Sequence, residues 1–117
     1  MGSHKILVVT PKPDLLGSLL FSLETEGYAV TGRSALPDVE WMQAQGFAAC
    51  VVDQGALNRE SHESVAFCIR AHPVILLAET PHAYLAEWVS QVVVTPDRGE
   101  ALTTALRAAL RRTAALS

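Results

Sequence analysis

The sequence predicts an α/β domain built as a three-layer αβα sandwich, with one five-stranded parallel sheet covered by helices on both faces. Three observations predict it. Five short runs are apolar without alternation, as strands buried on both faces must be. Between them, apolar residues recur at helical spacing. Proline, glycine and aspartate punctuate nearly every junction. Strict alternation of strand and helix implies parallel pairing through right-handed crossovers.

The elements follow in order. Ile6-Leu7-Val8-Val9 is the first strand, and Thr10-Pro11-Lys12-Pro13 ends it, since two prolines oppose strand pairing and helix alike. Asp14 is the expected N-cap of a helix carrying Leu15, Leu16, Leu19, Leu20 and Leu23, stopped at Gly27. Tyr28-Ala29-Val30-Thr31 is the second strand, ended by Gly32. Pro37-Asp38 opens a short helix with Val39, Trp41 and Met42, closed by Gly46. Residues 47–52 form the third strand, with Asp53 at its C-terminal end. A polar loop over 54–61 leads to a helix carrying Val65, Ala66, Phe67 and Ile69, ending near His72. Val74-Ile75-Leu76-Leu77 is the fourth strand. Thr80-Pro81 caps a short helix running to Trp88. Val92-Val93-Val94 is the fifth strand, ended by Thr95-Pro96. Asp97 and Glu100 have capping-box spacing, and the last helix presents Leu102, Leu106, Ala109 and Leu110 on one face.

Composition narrows the function. Of 117 residues, 50% are hydrophobic and 18% charged, enough to bury a core and too apolar for a disordered chain. A net charge of −3 lacks the positive field that grips phosphate backbones, so nucleic-acid binding by this domain is not expected. Cys50 and Cys68 lie in apolar segments without CxxC spacing and read as buried free thiols of a cytoplasmic protein. No apolar run approaches the roughly 20 residues of a membrane span, and the N-terminal stretch, with one basic residue and a short apolar run, is not expected to be a signal peptide. Residues 1–4 read as a cloning scar or tag remnant, and 5–117 as one domain, expected to belong to a longer chain. There is no GxSxG elbow and no glycine-rich phosphate loop. His62, His72 and His82 have no ligand spacing, so no metal centre is read from them.

In a sheet of this kind the working site lies beyond the C-terminal strand ends. Those ends carry a resemblance. Lys5-Ile6-Leu7-Val8-Val9, Glu26-Gly27-Tyr28-Ala29-Val30, Val51-Val52-Asp53, Pro73-Val74-Ile75-Leu76-Leu77 and Thr95-Pro96 resemble the receiver domain of bacterial two-component response regulators. The resemblance implies a flavodoxin-like fold with sheet order 2-1-3-4-5. It also implies a cytoplasmic, non-enzymatic signalling module that takes phosphate from a histidine kinase onto an aspartate, with a divalent metal.

Carried over by position, the phosphoacceptor falls on Asp53. The acidic pair that binds metal falls on Thr10 and Pro11, the hydroxyl residue on Ala78, the lysine on Thr95, and the activation-reporting aromatic on Val92. Pro96 keeps the proline that follows. Phosphoryl transfer depends on positioning and on neutralising three equatorial oxygens, and Mg²⁺ wants carboxylates. A chain keeping one of these five groups is expected to be an atypical receiver, a pseudo-receiver that needs no cofactor. It would act by protein interaction or dimerisation without phosphorylation.

Alternatives stay open at this stage. A working phospho-receiver would use Asp53 and Mg²⁺, with Asp14 or Glu79 rebuilding the metal site. Lys12 would stand over Asp53 as a built-in cation or be solvated. Asp53 would otherwise be structural, accepting N–H bonds from the loop at Gly55. A small-molecule sensor would use the crevice over Asp53 and Lys12. The expected partners are another protein or a fused output domain, and a second copy through the face of the fourth helix, fifth strand and fifth helix. Tyr84, Trp88 and Val92 are the candidates there.

Overall fold

A computed structural model describes residues 4–57, 62–71, 73–94 and 100–116. The strands are β1 (Lys5–Val9), β2 (Ala29–Arg33), β3 (Ala49–Asp53), β4 (Val74–Ala78) and β5 (Gln91–Val94). The helices are α1 (Pro13–Thr25), α2 (Val39–Gln45), α3 (His62–Arg70), α4 (Ala83–Ala86) and α5 (Glu100–Leu116). All neighbouring strands pair in parallel, in the order β2-β1-β3-β4-β5. This is the flavodoxin-like α/β fold that the alternation of runs predicts.

The uninterrupted apolar runs divide by side-chain alternation. Ile6, Val8, Val51, Ile75, Leu77 and Val93 face α1 and α5, meeting Leu19, Leu23, Leu102 and Leu106. Leu7, Val9, Cys50, Val52, Val74 and Leu76 face the other way, onto Met42 of α2, Phe67 and Cys68 of α3, and Leu85 of α4. Every residue of the two central strands β3 and β4 is buried, so neither face tolerates a polar alternation.

Local chemistry sets the boundaries, and several differ from the sequence reading: β3 is Ala49–Asp53, two residues later at its start than expected, and α4 ends at Ala86, short of Trp88. Asp14 does not cap α1: Pro13 takes the first helical position, Lys12 is the N-cap, and Asp14 lies exposed in the first turn. There a carboxylate still favours the positive end of the helix dipole. β2 runs on through Gly32 to Arg33. A Cβ on Gly32 would come within 2.9 Å of Leu16 Cδ1 and 3.3 Å of Leu20, so the missing side chain lets α1 lie close on the strand. Thr80-Pro81 does not start α4. His82 is its N-cap, and α4 is a single turn. Part of the polar loop after β3 is a 3₁₀ turn at Gln54–Ala56. The expected closure of α2 is present: Gly46 adopts φ 69°, the left-handed conformation that glycine enters without strain. The capping box at Asp97 and the helix end at His72 lie outside the described residues.

Cys50 and Cys68 are both free and buried in the same half of the core. Burial pushes the Cys68 thiol up to about 11, and burial with the neighbouring Cys68 pushes Cys50 higher still. A buried thiol favours its neutral form. The folded state therefore gains no thiol-linked pH dependence below the ordinary value of 9.0, and loses stability as pH rises from there through about 11. Since the thiolate is the reactive form, neither cysteine should react with an aromatic disulfide reagent at neutral pH in the folded protein. Both should react on unfolding. Rapid reaction of either thiol in the native state would contradict this burial.

Candidate functional site

The register of the sheet builds the site. Val9 pairs with Val52, so Thr10, one residue beyond β1, arrives beside Asp53 at the end of β3. Asp53 pairs with Leu77, and Ala78 with Val94, which aligns the last residues of β3, β4 and β5 along one edge. Thr10 continues past its strand because its N–H donates to the Arg33 carbonyl at 3.0 Å.

Thr10 is fully buried and Asp53 is 6% exposed. The Thr10 hydroxyl donates to Asp53 Oδ2 at 2.8 Å, an ordinary O–H···O length. The same hydroxyl oxygen accepts the backbone N–H of Lys12 at 3.2 Å. The other carboxylate oxygen, Oδ1, accepts the Gly55 N–H at 2.9 Å and so caps the 3₁₀ turn. Both carboxylate oxygens thus bind donors from the chain itself, one from each of two loops. A Cβ on Gly55 would lie 3.4 Å from Asp53 Oδ1 and 3.6 Å from Pro11 Cγ, so the carboxylate and the Pro11 ring flank the same turn.

The next residue ties down a third loop. Gln54 donates through Nε2 to the Thr80 carbonyl at 3.0 Å, and its Oε1 accepts the His82 N–H at 2.7 Å. The sequence reading passed over Gln54 as the start of a polar loop. No motif marks it, because its partners are backbone groups 26 and 28 positions away.

Other expected site residues fall as follows. Pro11 and Lys12 are exposed. Lys12 joins the site through its backbone alone: among the described residues the one ion pair links Arg107 to Glu26, at 3.3 Å on the surface. Lys12 is therefore not a cation over Asp53. Ala78 is 4% exposed and offers no hydroxyl. Thr95 and Pro96 lie outside the described residues. Val92 is half-buried against the core, Trp88 is 40% exposed and Val94 59%. The Tyr84 side chain lies outside the described set.

The donor set does not fit Mg²⁺. That ion needs near-octahedral oxygen ligands, anchored by one or two carboxylates and completed by water. Asp53 supplies one carboxylate, already bonded at both oxygens, and Thr10 and Pro11 supply none. Among the described residues no group of three His, Cys, Asp or Glu side chains is placed to hold a metal. Asp14 and Glu79, both exposed, do not complete one.

Neither a protein-family profile nor a curated protein sequence matches the chain. Solved structures do. A CheY-like response regulator receiver domain protein from Methanospirillum hungatei JF-1 superposes with TM-score 0.83 at 16% identity, covering 99% of this chain and 100% of its own. A response regulator receiver domain protein from Clostridium thermocellum gives 0.77 at 20%, covering 97% and 99%. An orphan response regulator of H. pylori gives 0.71 at 19%, covering 93% and 98%. At these identities the likeness is one of fold: the chain has the fold of receiver domains over nearly its whole length.

The bonds at Asp53 make a measurable claim. A buried acceptor that loses its donor costs about 1–3 kcal/mol. Thr10→Val and Asp53→Ala should each destabilise by about that much in urea denaturation. Together they should cost less than the sum, by about 1 kcal/mol, since one bond is removed twice. Strict additivity would show that the Thr10–Asp53 bond contributes nothing.

Proposed function

We propose that this chain is a receiver-like signalling module that works through contact with protein and without phosphorylation at Asp53. The observation that carries the reading is the state of the Asp53 carboxylate. It is buried, and its two oxygens are bonded to Thr10 and Gly55. An aspartyl nucleophile has to present an oxygen to the phosphorus of its donor, with charge-neutralising groups around the transferring phosphoryl. Here the neighbouring positions hold a hydroxyl, a proline and an alanine methyl. Each missing electrostatic contact costs on the order of a hundredfold or more in rate.

The resemblance drawn from the sequence supports the signalling part of the reading, as does the shared receiver fold. An orphan response regulator of H. pylori shares that fold. No helix among the described residues is long and apolar enough to cross a membrane. On this reading the domain performs no chemistry of its own and resides in the cytoplasm. Its partner is another protein or a fused output domain.

The contact surface we assign is the one around α4 and β5. α4 is one turn, Trp88 follows it partly exposed, and Val94 is exposed on the edge strand β5. Interface cores are enriched in aromatic residues, and an uncovered edge strand offers its backbone to another chain. A second copy of the chain is one occupant that this surface would accept.

Two measurements test the proposal. Intact mass after incubation with a small phosphodonor and Mg²⁺ should show no gain. A phosphate adduct that disappears in Asp53→Asn would replace this reading with that of a working phospho-receiver. Light scattering across concentration should show wild-type self-association that Val94→Glu suppresses without lowering the melting temperature. A strictly monomeric wild type would remove the second copy from the list of partners.

A further inference from the structure

The strongest unassigned feature lies away from Asp53, where β2 ends and α2 begins. A shallow, open cleft of about 340 Å³ lies there, lined by Arg33, Ser34, Leu36, Pro37, Asp38 and Trp41, with Arg33 and Asp38 themselves exposed. This is the lower end of the range for small-ligand sites and is of amino-acid size.

Its charged groups are arranged unusually. The Arg33 guanidinium carbon lies 4.3 Å from the centroid of the Trp41 ring. Stacking on the ring face leaves the in-plane N–H fork to recognise an anionic group. The stack is braced from behind. Trp41 packs on Phe47, centroids 5.9 Å apart at 54°, and Lys5 Nζ sits 5.2 Å from the Phe47 ring while donating to the Gln45 carbonyl at 2.6 Å. A cation–ring–ring–cation ladder thus holds Arg33 before any ligand arrives, which lowers the ordering cost of binding.

Asp38 lines the same cavity. One of its oxygens accepts the Glu40 N–H in a long 3.4 Å bond, and the other has no hydrogen bond among the described residues. Arg33 and Asp38 do not pair with each other, since the one ion pair among those residues is Arg107–Glu26. A cation and a carboxylate therefore share one cavity without neutralising each other. A simple anion there would meet Asp38, and a simple cation would meet Arg33. A molecule carrying both charges satisfies both walls, with Leu36, Pro37 and the indole edge left for an apolar portion.

We propose that this cleft binds a small zwitterion of amino-acid size, its anionic group on Arg33 and its cationic group on Asp38. The site would make the domain a sensor of such a metabolite as well as a docking module. It does not depend on the role of Asp53, so the two readings fail separately.

The experiment uses Trp41 as its reporter. In a Trp88→Phe background Trp41 is the remaining tryptophan of the two in the chain. The standard amino acids are titrated against fluorescence and against backbone amide spectra, with acetate and methylammonium as single-charge controls. The expected result is a saturable response to at least one amino acid with Kd below about 10 mM. Shifted amides should centre on residues 33–41, and Arg33→Gln and Asp38→Asn should each weaken binding by about tenfold or more. The proposal is overturned if no amino acid saturates, if acetate binds as tightly as the zwitterion, or if both variants bind unchanged.

Discussion

The carboxylate of Asp53 is the constraint on which the top of this molecule depends. It stands at the end of a central strand, almost out of water, where an unsatisfied acceptor would be costly. Thr10 and Gly55 satisfy it, and in doing so they fix the loop after β1 to the turn after β3. Gln54, adjacent in sequence, fixes the loop after β4 through two backbone groups. Two consecutive side chains therefore hold three of the loops that a sheet of this kind uses for its chemistry. Bonds to charged groups are worth about 1.5–3 kcal/mol each. Such a network favours one arrangement of the loops over an exchange between two.

That arrangement also explains how so short an α4 stays in place. Four residues make one helical turn, which has no stability of its own. Leu85 is fully buried in the core half shared with α3, and Gln54 holds the N–H of the N-cap residue His82. One apolar anchor and one polar anchor replace the missing turns.

What the sequence made legible was the part governed by periodicity. Runs such as Ile6-Leu7-Val8-Val9 are apolar at every position because each strand feeds two core faces, and that pattern needs no tertiary knowledge. Gly46 and Asp38 were readable for a similar reason: a left-handed closure and an N-cap are properties of a few adjacent residues. The start of α1 was misjudged because Asp14 and Pro13 both suit a first turn, and only backbone geometry decides which residue precedes it. The start of α4 was misjudged because Thr80-Pro81 is a good cap whose turn the chain does not continue. Its loop is held by Gln54, a contact local sequence does not encode.

The site itself was half legible. Asp53 was identifiable by its place after an apolar run, and the losses at Thr10, Pro11 and Ala78 by comparison with a pattern. Thr10 was read as a residue where charge is absent. The structure gives it a positive role, because its hydroxyl is the donor that lets a buried carboxylate stand without a cation. A lysine or metal at the site would add charge but would also demand solvent, further ligands or a second carboxylate. A threonine needs only register: once Val9 pairs with Val52, its hydroxyl falls beside Asp53. Replacing ionic neutralisation by a hydroxyl and a backbone N–H keeps the aspartate and the loops it ties. It also removes the need for a cation or metal beside the carboxylate.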